Sequence, residues 1–387
     1  MFLDKTLKEN GNLMRCAFTL HQNGLISPDT YILDYDMIRK NAEKMKEKAD
    51  LLGIKLYFMT KQIGRNPLIA KMLMSLGYAG AVVVDYREAE VMMRNGIHIG
   101  NVGHIVQIPK SKLRKIISSK PDTITTYSLE KIREINEAAG ELNLIQNITL
   151  RVIGEKDFLY PGQYGGFRLD ELEHVVEETR KLKSVIISGL TSFPCFLFDE
   201  ETKDICETPN LGTVKKAREI LEEKGLVIRD INLPSATSMR TLDLIRDAGG
   251  THGEPGHGLT GTTPFHKEND AEEKPAIVYV SEISHNLGEM SYSYGGGYYP
   301  RSHVEGAYIG KSLEEMKYHE ICEPSSDNID YYFTIKGNTE VSDTAVMAFR
   351  TQIFVTRSHV AVVSGIENND YEILGYFDAQ GNSVEDM

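Results

Sequence analysis

The feature that most constrains the fold is a regular alternation of strand-like and helix-like segments between residues 56 and 254. The strand-like segments are short and apolar, and each precedes a capping residue and a helical apolar stripe. Eight such units favour a closed parallel (β/α)8 barrel of the TIM type over an open doubly wound sheet. No Gly-x-Gly-x-x-Gly follows the first strand, which removes the main argument for a dinucleotide fold. The strands are expected to end at or near Lys61, Val84, Ile108, Tyr127, Ile153, Leu190, Leu233 and Glu254.

The pattern changes after about residue 265, where short strands and turns replace the strand–helix pairs. At 387 residues, two domains are the natural expectation. We therefore expect an α/β architecture in which the barrel occupies residues 28–264 and a smaller β-rich domain residues 265–387. Residues 1–27 are expected to join the β-rich domain, with a strand at 16–20. The strands predicted in the β-rich domain are 275–283, 331–335, 345–356, 360–364 and 371–377.

Composition limits the classes of function. A hydrophobic content of 41% and a charged content of 26% are typical of a globular enzyme or binding protein. The formal net charge of -13 argues against nucleic acid or an anionic membrane as the main partner. The four cysteines form neither a CxxC pair nor a disulfide framework. Since no apolar run reaches the roughly 18 residues of a membrane span and the first residues lack a signal-peptide core, we expect a cytoplasmic protein.

A single lysine, Lys61, stands where the first barrel strand is expected to end. The apolar residues 56–60 precede it, and Asn66 and Pro67 follow as a helix cap and a first helical residue. Catalytic groups of this fold lie at the carboxyl ends of the strands. Partial desolvation lowers the pKa of a lysine and makes it an amine nucleophile, including as a Schiff base to an aldehyde cofactor. A solvated loop lysine is the alternative that this stretch leaves open.

Two stretches after the seventh and eighth expected strands suit a phosphate. Residues 234–238 open a helix with three hydroxyl side chains, and ordinary capping accounts for only one of them. Residues 253–261 contain four glycines, which let the backbone approach a ligand and present N–H groups to an anion. A tight loop between two domains is the alternative for this second stretch. Phosphate sites of TIM barrels commonly follow strands seven and eight, which favours both assignments.

Other candidate residues have ordinary alternatives. Glu254 suits a protonated ring nitrogen or another cation, although a carboxylate alone is more often solvated or salt-bridged. The tyrosines and glycines of residues 292–301 suggest a lip that reaches into a neighbouring cleft, where a tyrosine can act as acid or base. Aromatic interface packing is the alternative there. Cys195 is most simply a small core residue. His359 could place a ligand, but the histidines show no metal-ligand spacing, so we expect no metal site.

Taken together, the chain resembles the alanine racemase superfamily of fold-type III pyridoxal 5'-phosphate (PLP) enzymes, and within it the ornithine racemase-like and YhfX-like branch. The resemblance covers about residues 28–263 and, more loosely, the β-rich domain. The order of its motifs and their places in the barrel carry the resemblance. These motifs are Phe58-Met59-Thr60-Lys61, Val84-Asp85-Tyr86-Arg87-Glu88, Gln107-Ile108-Pro109, Gly189-Leu190-Thr191-Ser192, Pro234-Ser235-Ala236-Thr237-Ser238 and Glu254-Pro255-Gly256.

The resemblance implies a PLP cofactor held as a Schiff base on Lys61. Tyr294 looks like the second base of the racemases, which comes from the partner subunit, so the resemblance also implies a homodimer with composite active sites. The implied function is racemisation or epimerisation of a small amino acid through abstraction of its α-proton from an external aldimine. Further cofactor-binding residues implied by the resemblance are Ser235, Thr237, Ser238, Glu254, Gly256, His257, Gly258 and Thr260.

Three positions depart from the racemase pattern. Racemases have arginine at the position of Glu254, and the Glu-Pro-Gly found here is similar to the decarboxylase branch. Arg65 replaces a tyrosine and Phe193 a histidine of the racemases. A carboxylate stabilises the protonated pyridine ring and makes a carbanion easier to form. A PLP-dependent decarboxylase and a non-catalytic PLP carrier therefore stay as alternatives, and the substrate side chain is left open.

Overall fold

The structure is a computed structural model that describes residues 1–325 and 327–384. The described residues form two compact units that alternate along the chain. One unit comprises Met1–Glu43, Lys61–Ile69 and the described residues from His257 onward. The other comprises Lys44–Thr60 and Ala70–Gly256. The sequence-based limits of the barrel were residues 28 and 264, so the compact units divide the chain differently. None of the described helices is both long and apolar enough to cross a membrane.

The unit containing residues 70–256 is a parallel barrel. Lys55–Leu56 pairs with His252–Gly253 on one side, and Phe58–Met59 pairs with Ala81–Val83 on the other. These two short strands are consecutive pieces of one stretch interrupted at Tyr57, so the described sheet returns to its start with eight positions around the ring. This confirms the predicted barrel. The strand order is Lys55–Leu56, His252–Gly253, Asp230–Asn232, Val185–Thr191, Gln146–Ile153, Thr123–Thr126, Ile99–Val102, Ala81–Val83 and Phe58–Met59.

Helices alternate with the barrel strands, and their starts follow the caps expected from the sequence. The carboxylate of Asp85 accepts the N–H of Glu88 at 2.8 Å, and Ser128 accepts the N–H of Lys131 at 3.3 Å. Additional short elements are Lys61–Ile63, Phe167–Arg168, Leu169–Glu171 and the hairpin of Phe196–Asp199 with Asp204–Glu207. The helices are Tyr35–Leu51, Pro67–Ser75, Tyr86–Arg94, Lys110–Ser118, Leu129–Glu141, Leu172–Arg180, Pro209–Glu223 and Met239–Asp247.

The third barrel strand is not where the sequence placed it. We expected it at residues 105–108, but the structure has it at Ile99–Val102, and 105–108 lie outside any strand. The strand contains Gly100 and Asn101, which are poor strand formers. A prediction from residue propensities therefore misses this strand. Gly100 is required because a Cβ there would lie 2.2 Å from the ring of Tyr57. A tertiary contact therefore overrides local propensity.

The other unit is built on a mixed β-sheet. Thr30–Asp34 is an inner strand of this sheet, antiparallel to Ile277–Leu287 and parallel to His359–Ser364. Met290–Tyr294 pairs with Ile277–Leu287 and with Tyr332–Lys336. The sheet order is Lys317–Glu320, Gly306–Gly310, Thr344–Met347, Ile277–Leu287, Thr30–Asp34, His359–Ser364 and Glu372–Asp378. Helical elements of this unit are Phe2–Glu9, Gly11–Gln22, Pro264–Glu268, Ile353–Val355 and Ile366–Asn368.

The N-terminal segment is helical, so the strand predicted at residues 16–20 is wrong. These residues belong to the helix Gly11–Gln22. Its buried residues Leu13, Met14, Ala17 and Phe18 recur at helical spacing and share a core cluster with the sheet. The predicted strand 345–356 is also too long, because the structure ends it at Met347. Strands that the sequence did not indicate are Met290–Tyr294, Gly306–Gly310 and Lys317–Glu320.

Candidate cofactor site

Lys61 follows the first barrel strand by two residues and begins the short helix Lys61–Ile63. Its side chain is half-buried. The preceding residue, Thr60, is fully buried and donates its hydroxyl hydrogen bond to the carboxylate of Glu88. The other carboxylate oxygen of Glu88 accepts the N–H of Val84 at 2.6 Å. A buried carboxylate therefore fixes the end of the strand from which Lys61 follows. The side chain of Glu88 thus links the ends of two barrel strands.

Glu254 lies directly after the last barrel strand and is only 6% exposed. The side-chain amide of Asn232 donates to its Oε1 at 2.8 Å. Nε2 of His252 lies 3.8 Å from the same oxygen. Burial, together with the positive charge of nearby Lys55, lowers the pKa of His252 to about 4, while the negative charge of Asp122 opposes the change. A carboxylate that is held away from water therefore accepts a hydrogen bond from a neutral amide.

The hydroxyl-rich stretch 234–238 lies beside Glu254. The hydroxyl of Thr237 accepts the backbone N–H of Glu254 at 3.2 Å. Ser238 is the N-cap of the helix Met239–Asp247, and its N–H donates to the hydroxyl of Thr241 at 2.9 Å. Ser235 donates its hydroxyl to the carbonyl oxygen of Phe196 at 2.8 Å, so this side chain is engaged by the hairpin. The structure thus brings Thr237, Ser238 and Glu254 together around the start of one helix.

His257 is buried, and two side chains of its own unit donate to the same nitrogen. Nε of Arg350 lies 3.3 Å and the amide of Gln352 3.4 Å from Nε2 of His257. The ring proton must therefore be on Nδ1, which lies 3.1 Å from the hydroxyl of Thr262. The hydroxyl of Thr260 donates to the carbonyl oxygen of His257 at 3.3 Å. Gly256 and Gly258, on either side of His257, are buried.

Several positively charged side chains lie around His257. Burial lowers its pKa well below the usual value, and the positive charges of Arg350, Lys61, His266 and Arg301 lower it further. A neutral imidazole does not bind an anion by charge, and Nε2 of His257 instead accepts hydrogen bonds from Arg350 and Gln352. The cations that remain near it suit an anionic ligand.

Tyr294 lies in the β-sheet of the unit that contains Thr30–Asp34. It ends the strand Met290–Tyr294, is 38% exposed and packs its ring 5.9 Å from that of Tyr332. Its backbone carbonyl accepts the hydroxyl of Ser281 at 2.6 Å. The predicted role of Tyr294 as a base supplied by a second subunit stays a prediction. Cys195 is a fully buried thiol, as its ordinary interpretation expected.

Sequence reasoning missed several polar residues in these neighbourhoods. Asn232 and Arg151 are polar residues within predicted strands that are largely apolar. A polar residue at such a position can be recognised in the sequence as a candidate for a buried polar site. Arg350 and Gln352 were included in a predicted strand, and nothing in their local pattern indicates a ligand site. The sequence indicates Glu88 only as a residue in the first turn of a helix.

Comparisons with known proteins decide the family. Residues 33–264 match the family model described as alanine racemase, N-terminal domain. The chain belongs to this alanine racemase family. Residues 278–373 match a second model, described as YhfX-like, C-terminal domain. The chain is also 44% identical over 386 residues to the uncharacterized protein YhfX of Escherichia coli K12, covering 99% of this chain and 100% of that protein. The predicted resemblance is confirmed, and members of this alanine racemase-like family bind PLP.

Solved structures support the same fold. D-threonine aldolase from Filomicrobium marinum matches with a TM-score of 0.64 at 13% identity, covering 91% of this chain and 94% of that chain. Alanine racemase from Clostridium difficile 630 in complex with cycloserine matches with a TM-score of 0.63 at 16% identity, covering 90% and 98%. Diaminopimelate decarboxylase from M. jannaschii matches at 0.61 and 16% identity, covering 91% and 88%. At these identities, the likeness shows the fold alone.

The residues present fit PLP. A carboxylate that is buried and hydrogen-bonded, as Glu254 is, suits the protonated pyridine nitrogen of the cofactor. The N-terminus of the nine-residue helix Met239–Asp247, with Thr237 and Ser238 beside it, suits a phosphate. Lys61 has the kind of side-chain amine that a Schiff base with the cofactor aldehyde would need.

Proposed function

We propose that this member of the alanine racemase family is a cytoplasmic, PLP-dependent amino-acid racemase or epimerase. The observation that carries the PLP-dependent part of the proposal is Glu254, buried after the last barrel strand and held by Asn232 at 2.8 Å. The choice of racemisation rests on the resemblance of Tyr294 to the second base of the racemases. A buried acid in that setting has a clear use in a PLP enzyme, because it keeps a ring nitrogen protonated. Lys61, at the end of the first strand, is the amine expected to carry the cofactor.

Each of the proposed catalytic residues has a defined task. PLP, when bound, supplies an electron sink for the pair of electrons left at the substrate α-carbon. The Nζ amine of Lys61 holds the cofactor until substrate arrives and then removes or returns the α-proton on one face. The phenol oxygen of Tyr294, from a second copy of the chain, moves a proton on the opposite face. Glu254 holds the proton on the ring nitrogen throughout.

The first experiment tests whether Lys61 carries the cofactor. Purified protein is reconstituted with PLP, its visible absorbance is recorded, and it is reduced with borohydride. We expect a pyridoxyl group on the peptide containing Lys61 by mass spectrometry, and none in Lys61→Ala. Modification of other lysines alone would contradict the assignment. Lys55, an exposed lysine of the same barrel strand, offers a matched control as Lys55→Ala.

The second experiment tests the reaction. Single enantiomers of a panel of amino acids are incubated with the holoenzyme in deuterium oxide. The proposal expects the opposite enantiomer to appear with deuterium at the α-carbon. Absence of exchange with every member of the panel, despite a bound cofactor, would favour the non-catalytic carrier.

A decarboxylase is the second candidate, and Glu254 favours it specifically. The Glu-Pro-Gly sequence resembles the decarboxylase branch, and loss of carbon dioxide uses the same electron sink as loss of a proton. The same incubations distinguish the two candidates. Release of carbon dioxide with formation of an amine, without the opposite enantiomer, would establish decarboxylation and overturn the racemase proposal.

A homodimer with composite sites is part of the proposal. Tyr294 is 38% exposed and its neighbour Tyr332 is 39% exposed, which supports use of this surface by a second copy. Lys61→Ala and Tyr294→Phe are each expected to be inactive, but unfolding and refolding them together should restore about a quarter of the activity through mixed dimers. Failure of the mixture to regain activity would place Tyr294 and Lys61 in the same subunit's site.

A further inference from the structure

A polar cavity opens at the end of the barrel where the strands begin. Its volume is about 320 Å³, which is within the range of roughly 300–1,000 Å³ that small-molecule sites occupy. Among the residues that line it, Lys55, Thr123, Asp230 and His252 are each the first residue of a strand. Glu254 follows the last of these strands, so the cavity and Glu254 lie toward opposite ends of it. We refer to this space as the strand-start cavity.

Short side chains leave this space open, and an aromatic ring bounds it. Gly100 contributes no side chain, and Asn101 contributes a small polar one. The ring of Tyr57 lies edge-on to that of His252, with centroids 5.3 Å apart. The Tyr57 hydroxyl donates to a carboxylate oxygen of Asp122 at 2.8 Å. Burial and the negative charge of Asp122 raise the pKa of Tyr57, so the phenol keeps this proton and the ring stays in place.

Asn101 is a buried polar residue with an unused donor group. It is 3% exposed and lines the strand-start cavity. Its Oδ1 accepts the hydroxyl hydrogen bond of Thr125 at 2.9 Å, whereas its Nδ2 donates to no residue in the part of the chain that the structure describes. A buried amide without a partner costs free energy, and an acceptor oxygen in the cavity removes this cost. Asn101 therefore favours a ligand that carries an oxygen acceptor.

Two positively charged side chains at the strand-start cavity have only neutral partners. Nζ of Lys55 lies 5.8 Å from the centre of the Tyr57 ring. The guanidinium of Arg229 donates to Oδ1 of Asn147 at 3.4 Å. Over residues 1–325 and 327–384, neither Lys55 nor Arg229 forms an ion pair. Two such cations at the rim of one cavity suit a carboxylate, because hydrogen bonds between charged groups are stronger than those between neutral ones.

The two carboxylates at the strand-start cavity differ in their partners. Asp122 is fully engaged, because one of its oxygens accepts the Tyr57 hydroxyl and the other lies 2.8 Å from Nε2 of His98. Asp230 is half-buried, and its side chain makes neither a hydrogen bond nor an ion pair with any residue that the structure describes. A partly shielded carboxylate of this kind suits a cationic group on a ligand. The cavity therefore offers partners for both signs of charge.

We propose that the strand-start cavity binds a free amino acid as its zwitterion, with the carboxylate at Lys55 and Arg229 and the ammonium group at Asp230. A zwitterion carries both charges on one small molecule, so it supplies a partner to each of these side chains. The ring of His252 separates the cavity from Glu254, since its Nε2 lies 3.8 Å from Oε1 of that residue. The site is therefore additional to the proposed function, and its occupation does not require PLP.

The first measurement is isothermal titration calorimetry with N,N-dimethylglycine. This probe carries both charges at neutral pH, and its tertiary nitrogen cannot form a Schiff base. We expect the wild type to bind it, and Arg229→Gln and Asp230→Asn each to bind it at least about tenfold more weakly, because each variant loses one charged partner. Neither side chain is buried, so neither change disturbs the core. Arg114→Gln, which changes an exposed arginine of the helix Lys110–Ser118, should bind as the wild type does.

The second measurement locates the probe by its protection of Lys55. The wild type is acetylated briefly with and without N,N-dimethylglycine, and the modified lysines are quantified by mass spectrometry. A probe at about ten times its Kd leaves about one site in eleven free, so the acetylation rate of Lys55 should fall by at least about threefold. Lys216, an exposed lysine on the helix Pro209–Glu223, is the matched control and should be acetylated at an unchanged rate. Equal rates at Lys55 with and without the probe would overturn the proposal.

Two further comparisons test the ligand class and the site. Acetate and dimethylammonium each carry one of the two charges, and each should bind at least about tenfold more weakly than N,N-dimethylglycine. Acetate that binds as tightly as the zwitterion would make the cavity a simple anion site and overturn the proposal. Loss of binding in Lys61→Ala, with full binding in Arg229→Gln, would place the probe near Lys61 and overturn it too. Because the titration also works on protein without PLP, its result is independent of whether Lys61 carries the cofactor.

Discussion

The side-chain amide of Asn232 donates a 2.8 Å hydrogen bond to Oε1 of Glu254, and both residues are buried within the barrel unit. Asn232 ends the strand Asp230–Asn232, and Glu254 follows the neighbouring strand His252–Gly253. The pairing of two parallel strands therefore sets the distance between donor and acceptor. A charge-assisted bond of this kind contributes more than a bond between neutral groups.

Replacing Asn232 tests how strongly this bond supports the acid. We expect Asn232→Ala to lower the free energy of unfolding by about 1.5–3 kcal/mol, because a buried carboxylate oxygen loses a donor. The cost should fall to about 1 kcal/mol in a Glu254→Gln background, where the acceptor is neutral. Urea unfolding of the wild type, the two single variants and the double variant gives the coupling energy between Asn232 and Glu254. Equal costs in both backgrounds would show that the amide packs beside Glu254 without supporting its charge.

Thr60 is predicted to stabilise the strand end that precedes Lys61. Thr60→Val keeps the shape but removes the hydroxyl that donates to Glu88, so we expect a loss of about 1.5–3 kcal/mol. Thr126→Val is the matched control, since this equally buried hydroxyl donates at 3.4 Å to the neutral carbonyl oxygen of Thr149. The control should cost about 0.5–1.5 kcal/mol. Thermal unfolding checks both, and a larger loss in the control would contradict the role given to Glu88.

His252 should make the protein sensitive to acid. Its pKa is about 4 when folded and about 6.5 when unfolded, so below pH 6.5 the unfolded chain binds more protons. Stability is therefore fully present above pH 6.5 and falls as the pH drops toward 4, by about 2 kcal/mol between pH 7.5 and 5. The measurement is urea unfolding of wild type and His252→Gln at both pH values.

The comparison with His252→Gln isolates this residue from groups of opposite sign. Burial raises the pKa of Asp29 to about 6, so protonation of Asp29 adds stability over part of the same range. Asp29 is present in both proteins and cancels in their difference. We expect the difference in free energy of unfolding to change by about 2 kcal/mol between pH 7.5 and 5 in favour of the variant. Parallel pH profiles would mean that His252 keeps an ordinary affinity for protons.

Much of the barrel could be predicted from sequence because each unit carries local signals. The cap at Asp85 and the apolar run at Ala81–Val83 reflect short-range preferences, and the structure realises both. The β-rich sheet was harder to predict, because its inner strand Thr30–Asp34 pairs with segments about 250 and 330 residues away. No local pattern encodes such a partner.

The residues of the candidate site also differ in how far the local sequence reveals them. Lys61 and Glu254 could be found because each stands at the end of an expected strand. Asn232, Arg151 and Arg350 act through partners that are distant in the sequence, and the donor–acceptor pairs appear only once the chain is folded. The N-terminal helix Gly11–Gln22 escapes prediction for another reason, because the short apolar run at residues 16–20 also suits a strand.

The misplaced third strand leads to the last prediction, Gly100→Ala. An added Cβ would lie 2.2 Å from two ring atoms of Tyr57, whose hydroxyl is fixed at 2.8 Å to Asp122. The ring cannot easily move, so we expect a loss of about 1–3 kcal/mol by overpacking. Gly212→Ala is the control, because nothing lies within 4 Å of its Cβ position and it is helical; it should gain up to about 1 kcal/mol.

A second substitution distinguishes overpacking from a backbone effect. Tyr57→Leu removes the ring that the new Cβ would meet, so Gly100→Ala should cost less than about 0.5 kcal/mol in that background. Urea unfolding of the two single variants and the double variant gives the coupling energy. If Gly100→Ala costs the same with and without the ring, the glycine is required by its own backbone, and the contact with Tyr57 does not explain why this strand escapes prediction.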